Sequence, residues 1–407
     1  MLACQITLGE LSNWLAHIRR GLWPGTSTLG KKEWGSGLAS SLQPASLPDV
    51  VVTNFHRRYT GVSATVRALV PVQRQAMKIG LLDWGRLGLI ANMRWWHLLW
   101  LGWTPPSAAR FRIWHARRDI EIVVGLLLKK LLRQPWKIVF TSAAPKRPGL
   151  WLGMLLRNCD AVIATSERSA RFLASCTQVI HHGVDTSYYS PPPNDELSGL
   201  KTSPLPQGLG SVPGSLAGHY WIGAFGRIRP SKGTDLLIGA LIQVLPDFPD
   251  FSAVITGLCQ KKHQKFAQSL QAKVVNAGLA ERIVFLGDLD RETVRSCYRR
   301  LLLCVAASRT EGFGLTPLEA MACGRAVLVS GAGVWPQLVD PQVGASFQTG
   351  SVDSLVKALR DLLRDPQLLW QMGINGRQRS LQRHSLQGEA TQINQLYGRL
   401  MDWGSDL

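Results

Sequence analysis

Short apolar runs alternate with helical segments along most of the chain. The first run is Val50-Val51-Val52, which leads into a polar loop that begins at Thr53. Short buried strands that alternate with helices are typical of a parallel sheet covered on both faces. We therefore predict strands over 50–52, 111–115, 137–141, 160–164 and 177–181, and a second set over 220–225, 251–256, 282–286, 301–306 and 326–330.

Helices are predicted between these strands. They span about 64–75, 119–133, 149–157, 234–245, 260–277, 291–300 and 315–322, and the tail from about 352 reads as helical to the end. Two alternating sets indicate an α/β fold of two facing Rossmann-like, doubly wound domains. Because such sheets hold ligands at the carboxyl ends of their strands, we expect the site in the cleft between the domains.

Composition divides the chain into five segments. Residues 1–48 carry Gly, Ser and Pro without a clear period and are interpreted as a flexible N-terminal extension. Residues 191–218 have the Pro, Gly and Ser content of a linker. The predicted boundaries are 49–190 for the N-terminal Rossmann-like domain, 219–380 for the C-terminal one, and 381–407 for a C-terminal helix that crosses back to the first domain.

The chain is strongly basic, with 46 Lys and Arg against 27 Asp and Glu and a net charge of +19. Such a surface attracts nucleic acid, anionic lipid or an anionic substrate. The basic residues are spread along the chain without a zinc-finger, RNP or bZIP pattern, so we expect no nucleic-acid partner. The membrane and substrate interpretations stay open.

The cysteines, apolar runs and tryptophans further limit the class of protein to which the chain can belong. The seven cysteines are scattered without a CxxC pair, which predicts free thiols in a reducing cytosol and no metal site. No run reaches about 18 apolar residues, so neither a spanning helix nor a signal peptide is expected. The Trp-rich segment 93–103 fits either a core helix with a loop or a contact with the membrane interface.

The loop after the predicted strand 220–225 carries two cations. Gly226 allows a tight turn, and Arg227 and Lys232 lie five residues apart before a predicted helix. Both side chains can point at one anion, with Arg as a bidentate fork and Lys as a point charge. Fixed cations there would stabilise a departing diphosphate and could replace a divalent metal. The alternative is a pair of solvated surface cations.

A second loop, after the predicted strand 301–306, carries two carboxylates. Glu311 lies in the loop, and Glu319 lies about one turn into the helix that Pro317 opens. The glycines keep the loop free of side chains, so its main-chain N–H groups can approach an oxygen-rich ligand. Glu319 can accept hydrogen bonds from a ribose diol, although it could also be a helix-surface charge. The segment between the carboxylates is Gly312, Phe313, Gly314, Leu315, Thr316, Pro317 and Leu318.

Together, the two loops resemble the donor-binding signatures of family-4 retaining glycosyltransferases, the G-R-x(4)-K-G loop and the E-x7-E motif. The resemblance covers roughly 49–400. It implies the GT-B architecture, a sugar nucleotide bound mainly by the C-terminal domain, an acceptor bound by the N-terminal domain, and no required metal or other cofactor. It also implies that Arg227 and Lys232 hold the diphosphate, Glu319 the ribose and Glu311 the donor sugar, with Gly312, Phe313, Gly314 and Leu315 completing the donor site.

A narrower resemblance lies in the first half. The runs 54–63, 112–118 and 140–144 look like those of the lipopolysaccharide core mannosyltransferases of alphaproteobacteria. This implies transfer of mannose from GDP-mannose to the Kdo of a lipid A precursor, at the cytoplasmic surface of the inner membrane. The chain departs from that pattern in 1–48, in 93–103 and in the insert 198–218.

Further candidate site residues lie in the first half. The resemblance to family-4 enzymes, which often have a histidine near the donor sugar at this place, implies that His115 takes part in catalysis; the alternative is a structural histidine. Gly61 and Ser63 are expected to close over the donor phosphate. The residues expected to meet an anionic acceptor, unless they form only a solvated basic face, are Arg57, Arg58, Arg117 and Arg118.

Three other functions stay open. The chain could use a UDP-sugar for another glycan or glycolipid, it could be a sugar-nucleotide epimerase or hydrolase, or it could be a non-catalytic basic membrane-binding protein. For transfer with retention, no carboxylate is an obvious nucleophile of the kind that glycosidases use. We therefore favour a front-face substitution in which the departing phosphate takes the acceptor proton.

Overall fold

A computed structural model describes residues 48–401, with gaps at 57–60, 85–86, 88, 90–92, 94, 105, 107–108, 144–146, 194–195, 203–215 and 217–219. The predicted extension up to residue 47 and the two arginines at 57 and 58 lie outside the described residues. Most of the predicted linker 191–218 also lies outside them.

The first half contains a six-stranded parallel sheet in the order β2-β1-β3-β4-β5-β6. Every residue of β1 and β3 is buried, as expected for central strands of a parallel sheet that is covered on both faces. The strands are β1 Val50–Asn54, β2 Ile79–Asp83, β3 Arg112–Ala116, β4 Trp136–Ser142, β5 Ala161–Ala164 and β6 Gln178–Val179. The helices are α1 Gly61–Gln73, α2 His97–Leu101, α3 Asp119–Leu126, α4 Leu150–Leu156, α5 Glu167–Ala170 and α6 Leu197–Thr202.

The second half repeats this plan with a parallel sheet in the order β12-β11-β10-β7-β8-β9. The strands are β7 Tyr220–Phe225, β8 Phe251–Thr256, β9 Ile283–Gly287, β10 Leu301–Ala306, β11 Ala326–Ser330 and β12 Gly344–Phe347. The helices are α7 Thr234–Val244, α8 Gln264–Asn276, α9 Arg291–Arg300, α10 Thr316–Ala322, α11 Trp335–Leu338, α12 Val352–Leu363, α13 Pro366–Arg383 and α14 Leu386–Met401. The predicted α/β class with two parallel, Rossmann-like sheets is confirmed.

Differences from the predicted elements are local. The strands β2 and β12 were not predicted, and each forms an edge of its sheet. The helix predicted over 119–133 ends as an α-helix at Leu126 and continues as a π-helical turn, Leu127–Leu131. The helical tail is three helices, because Asp365 caps the second and His384 ends it. Among the described residues, no helix is long and apolar enough to cross a membrane.

The chain passes between the two halves twice, and the two passages are hydrogen-bonded to each other. The Val184 N–H donates to the His384 carbonyl at 2.8 Å, and the Leu386 N–H donates to the Val184 carbonyl at 2.9 Å. Helix α14 then packs on α1 and β3 and adds Ile393, Leu396 and Tyr397 to the core of the first half. The last helix of the chain is therefore part of the first core.

Candidate active site

The loop between β7 and α7 is shaped by two glycines. Gly226 and Gly233 have φ values of 135° and 68°, where residues with a side chain are strained. A Cβ at Gly233 would lie 1.9 Å from the carbonyl oxygen of Ala307. The close approach holds a 3₁₀ turn, Pro230–Lys232, against the carboxyl end of β10.

Lys232 and Glu311 meet at this edge of the sheet. The Lys232 Nζ atom lies 2.5 Å from Glu311 Oε2, and the Ser308 hydroxyl donates to the same oxygen at 3.2 Å. Both charged side chains are partly buried. The structure thus joins a cation from the first predicted motif to a carboxylate from the second, at the mouth of a pocket lined by Phe225, Gly226, Lys232, Thr234, Ser308 and Thr316.

Two arginines of these loops differ in their contacts. Arg309 forms a bidentate pair with Asp235, with N–O distances of 2.8 and 2.7 Å, and so ties the second loop to α7. Arg227 is exposed and has no hydrogen bond or ion pair with any residue that the structure describes. Arg309 is therefore a structural clamp, whereas Arg227 is a cation beside the pocket that is available to an anion.

The turn from Glu311 into α10 requires glycine. Gly314 has a φ of 70°, and a Cβ there would lie 2.7 Å from Glu311 Cγ and from the Trp335 ring. The indole N–H of Trp335 donates to the Gly314 carbonyl at 3.1 Å. Phe313 is buried, and Leu315 precedes the first residue of α10. The turn is closely packed against Trp335, and it connects Glu311 to the helix that carries Glu319.

Glu319 is held by tyrosines. The Tyr298 hydroxyl donates to Glu319 Oε2 at 2.9 Å, and the Tyr298 ring stacks on Phe225 with centroids 4.1 Å apart. Burial raises the pKa of Glu319, while hydrogen bonds from Tyr298 and Tyr189 and the charge of Arg291 oppose the rise. The carboxylate is oriented on one side by these donors, and its other lone pairs can accept hydrogen bonds from a diol.

The first half brings a polar network to the carboxyl ends of β1, β2 and β3. The Ser63 hydroxyl of α1 donates to Asn54 Oδ1 at 3.2 Å, and the Asn54 amide donates to Asp83 at 2.8 Å. Arg118 Nη1 also donates to Asn54 Oδ1, at 3.0 Å. The predicted residues Ser63 and Arg118 are therefore linked through Asn54, and Gly61 is the first residue of α1.

Glu121 is the centre of this network. Its carboxylate is fully buried and accepts the main-chain N–H groups of Phe55 at 2.9 Å, Arg117 at 2.7 Å and Arg118 at 3.2 Å. The guanidinium of Arg118 donates to it as well, at 3.2 Å. One side chain thus fixes the end of β1 to the turn between β3 and α3.

His115 does not line an open site. The side chain is fully buried, with Nδ1 against the Tyr397 hydroxyl and Nε2 2.7 Å from the Thr141 hydroxyl. Burial and the nearby charge of Arg117 lower the pKa of His115 well below its usual value, so the ring is neutral. This geometry corrects the expectation that His115 faces the donor sugar. His115 lies on β3 beneath α14, and both of its ring nitrogens have side-chain partners.

Comparisons with known proteins show the family of this chain. A family model described as "Glycosyl transferases group 1" matches residues 216–379. The chain is 41% identical over 355 residues to the "Lipopolysaccharide core biosynthesis mannosyltransferase LpcC" of Rhizobium leguminosarum bv. viciae, covering 87% of this chain and 97% of that protein. The chain belongs to the group 1 glycosyltransferases.

One further relative supports the class of this glycosyltransferase, and one solved structure supports its fold. It is 38% identical over 360 residues to the "Lipopolysaccharide core biosynthesis mannosyltransferase LpsB" of Rhizobium meliloti, covering 87% of this chain and 98% of that protein. Its fold is similar to that of Anabaena Alr3699/HepE in complex with UDP, with a TM-score of 0.68, 21% identity, and coverage of 86% of this chain and 99% of the other. The predictions of a GT-B fold and of a glycosyltransferase are confirmed.

The two halves of the transferase come close at the turn between Glu311 and α10. A Cβ at Gly312 would lie 2.8 Å from the Ala143 carbonyl oxygen, which follows β4 of the first half. Arg168 of the first half donates to the Gly333 carbonyl at 3.3 Å. The turn after Glu311 therefore lies close to the carboxyl end of β4 in the first half.

Sequence reasoning missed Glu121, Tyr298 and Tyr189. Glu121 had a signal, because it occupies the third position of α3 and accepts the Arg118 N–H as in a capping box. No sequence pattern indicated the two tyrosines. Tyr298 lies on the helix before β10, and Tyr189 follows the first passage between the halves. In the described part of the chain, no group of three or more His, Cys, Asp or Glu could hold a metal ion.

Proposed function

We propose that this glycosyltransferase moves mannose from GDP-mannose to the Kdo of a lipid A precursor with retention of configuration, as a family-4 enzyme. The near full-length similarity to two rhizobial proteins that are named lipopolysaccharide core mannosyltransferases is the observation that carries the proposal. The enzyme needs no metal or other cofactor, because Arg227 and Lys232 supply the positive charge at the leaving diphosphate.

The donor lies on the second half in this proposal. Arg227 and Lys232 hold the diphosphate, Glu319 accepts the ribose hydroxyls and Glu311 faces the mannose. The turn that supplies main-chain contacts to the donor consists of Gly312, Phe313, Gly314 and Leu315. Gly61 and Ser63 approach the phosphates from the first half, where the N-terminus of α1 favours an anion.

Retention follows from a front-face substitution. Glu311 is paired with Lys232 on the donor side of the cleft, at 2.5 Å. A carboxylate held by this cation orients the donor sugar and is a poor nucleophile. The departing phosphate then takes the proton of the acceptor hydroxyl as the new bond to the anomeric carbon forms. Closure of the two halves excludes water, which would otherwise hydrolyse the donor.

Donor identity is tested by thermal shift and by product analysis. GDP-mannose at a hundredfold over its dissociation constant should stabilise the enzyme by about 2.7 kcal/mol, and UDP-glucose and ADP-glucose at the same concentration should stabilise it less. Mass spectrometry should detect one added hexose on a Kdo-bearing lipid IVA. A larger shift with a UDP-sugar would refute the GDP-mannose assignment, and release of free mannose without an acceptor would indicate a hydrolase.

The first half also carries an apolar and basic face that suits a membrane surface. Around α4 and the π-helical turn, large apolar side chains are exposed: Leu127, Leu131, Leu150, Trp151 and Met154. Exposed cations surround them: Lys130, Arg133, Arg147 and Arg157. Lys130 donates to Asn158, which joins the two segments into one face. We propose that this face binds the anionic cytoplasmic surface of the inner membrane, where the acceptor lies.

Replacing Leu150 and Trp151 together with Glu should abolish binding to vesicles that contain an anionic phospholipid, because the change removes apolar area and adds like charge. Flotation of the protein with vesicles measures binding. Val275→Glu, at an exposed apolar position of α8 in the second half, is the control and should float as the wild type does. Equal flotation of all three proteins would show that the membrane binds another surface.

A further inference from the structure

Arg117 is a buried cation without a counter-charge among the residues that the structure describes. The residue is only 7% exposed, and its Nε and Nη2 atoms are buried without a hydrogen-bond partner. The guanidinium makes a single long contact, from Nη1 to the Thr65 hydroxyl of α1 at 3.4 Å. Because burying an unpaired charge is costly, arginines in such positions are normally paired with a carboxylate or a ligand.

The nearby carboxylate does not fill this role. Glu121 accepts the main-chain N–H of Arg117 at 2.7 Å, but its side-chain partner is the guanidinium of Arg118. Among the residues that the structure describes, no acidic side chain forms a salt bridge with Arg117. Glu121 therefore fixes the backbone at Arg117 and leaves the guanidinium unneutralised.

The surroundings of Arg117 favour an anion. It follows the carboxyl end of β3, the edge at which parallel sheets bind ligands. Helix α1 has thirteen residues and no acidic residue in its first turn, so its positive N-terminal end is not compensated by its own side chains. His115 and Tyr397, which lie near the guanidinium, are both neutral, because burial lowers the pKa of the histidine and raises that of the tyrosine.

We propose that Arg117 forms a carboxylate-binding subsite for the acceptor sugar, and that Glu121 is the residue that positions it. The inference rests on the proposed function and deepens it, since it assigns one residue to the acid group of the acceptor. The Nε and Nη2 atoms lie on one edge of the planar guanidinium, are buried and lack a partner among the described residues, and this edge matches a carboxylate in a bidentate geometry. Arg118, already paired with Glu121 and Asn54, supports the turn and does not bind the acceptor directly.

The test changes Arg117 in the protein and the carboxylate of the acceptor, separately and together. KM and kcat are measured with Kdo-bearing lipid IVA and with the same lipid carrying a Kdo C1 carboxamide, for the wild type and for Arg117→Gln. The wild type should prefer the carboxylate by about 10- to 100-fold in kcat/KM. Arg117→Gln should lose this preference while its KM for GDP-mannose stays unchanged. Arg67→Gln, an exposed arginine on α1, is the control and should keep the preference.

The Tm of Arg117→Gln distinguishes a ligand-binding role of Arg117 from a purely structural one. If Arg117 only supports the fold, Arg117→Gln should lower Tm and leave the preference for the carboxylate intact, which would overturn the inference. If Arg117 serves the ligand, the free variant should melt at the same or a higher temperature than the wild type, since an unpaired buried charge has been removed.

A wrong acceptor assignment would give a different result from a wrong assignment of the subsite. If the wild type transfers no mannose to the lipid, the acceptor assignment is wrong. The subsite is then judged by calorimetry with free Kdo and its C1 amide, using wild type and Arg117→Gln. Binding of the acid but not the amide, lost in the variant, would support the subsite. Equal binding of acid and amide, or an unaffected variant, would overturn it.

Discussion

Replacing Lys232 with Ala is expected to lower kcat by about 100- to 1,000-fold, the usual effect of removing one preorganised group at a developing negative charge. The ammonium lies at the carboxyl edge of the second sheet, held by Glu311, and would stabilise the diphosphate as the bond to the sugar breaks. KM for GDP-mannose should change less than kcat. Steady-state transfer to Kdo-bearing lipid IVA measures both. Lys357→Ala, at an exposed lysine on α12, should leave both constants unchanged.

The partner of Lys232 gives a second check on the same site. Glu311→Gln should also lower kcat, and the double variant should lose less than the sum of the two effects, because paired residues couple. A full turnover of Glu311→Gln together with a covalent mannosyl adduct on another residue would contradict the front-face mechanism. An unchanged kcat of Lys232→Ala would place the diphosphate elsewhere.

Replacing Glu121 with Ala should be among the most destabilising single changes in the first half. The change leaves three main-chain N–H groups, those of Phe55, Arg117 and Arg118, without their acceptor. We expect a loss of about 3–5 kcal/mol, which corresponds to a fall in Tm of roughly 10 °C. Differential scanning calorimetry measures the transition.

Glu167→Ala is the matched control for this change. Glu167 also lies in the first turn of a helix in the first half, but its side chain is exposed. Its loss should cost less than about 1 kcal/mol, the usual worth of a charge at a helix end. Equal Tm values for the two variants would mean that the Glu121 network contributes little to stability.

The sequence predicted the elements best where buried apolar runs are long. Strands β7, β8, β10 and β11 begin and end where the pattern placed them. The missed strand β12 consists of Gly344, Ala345, Ser346 and Phe347, whose small residues give a weak apolar signal. Its pairing with β11 makes it a strand, and such a contact is decided by the tertiary fold.

The loops that carry Lys232 and Glu311 were predicted as two separate motifs, because residue types and turn glycines are local features. The contact between Lys232 and Glu311 joins residues that are 79 positions apart. Predicting this contact requires the order of the strands in the second sheet. His115 shows the converse error. The family resemblance suggested a histidine that faces the donor sugar, but helix α14 brings Tyr397 over His115 from 282 positions away. A single sequence does not reveal that a helix so distant along the chain packs over this residue.

Helix α14 has a consequence for the order of events during synthesis. The last strand of the first sheet ends at Val179, whereas the helix that completes its core begins at Leu386, about 200 residues later. On the ribosome the apolar surface that α14 covers is therefore expected to stay exposed until residues 386–401 have emerged. Domains that fold as they are made normally do so from the N-terminus. Here the first half reaches its final form after the second, and ribosome-bound chains that stop before Leu386 should be sensitive to proteases in the first half.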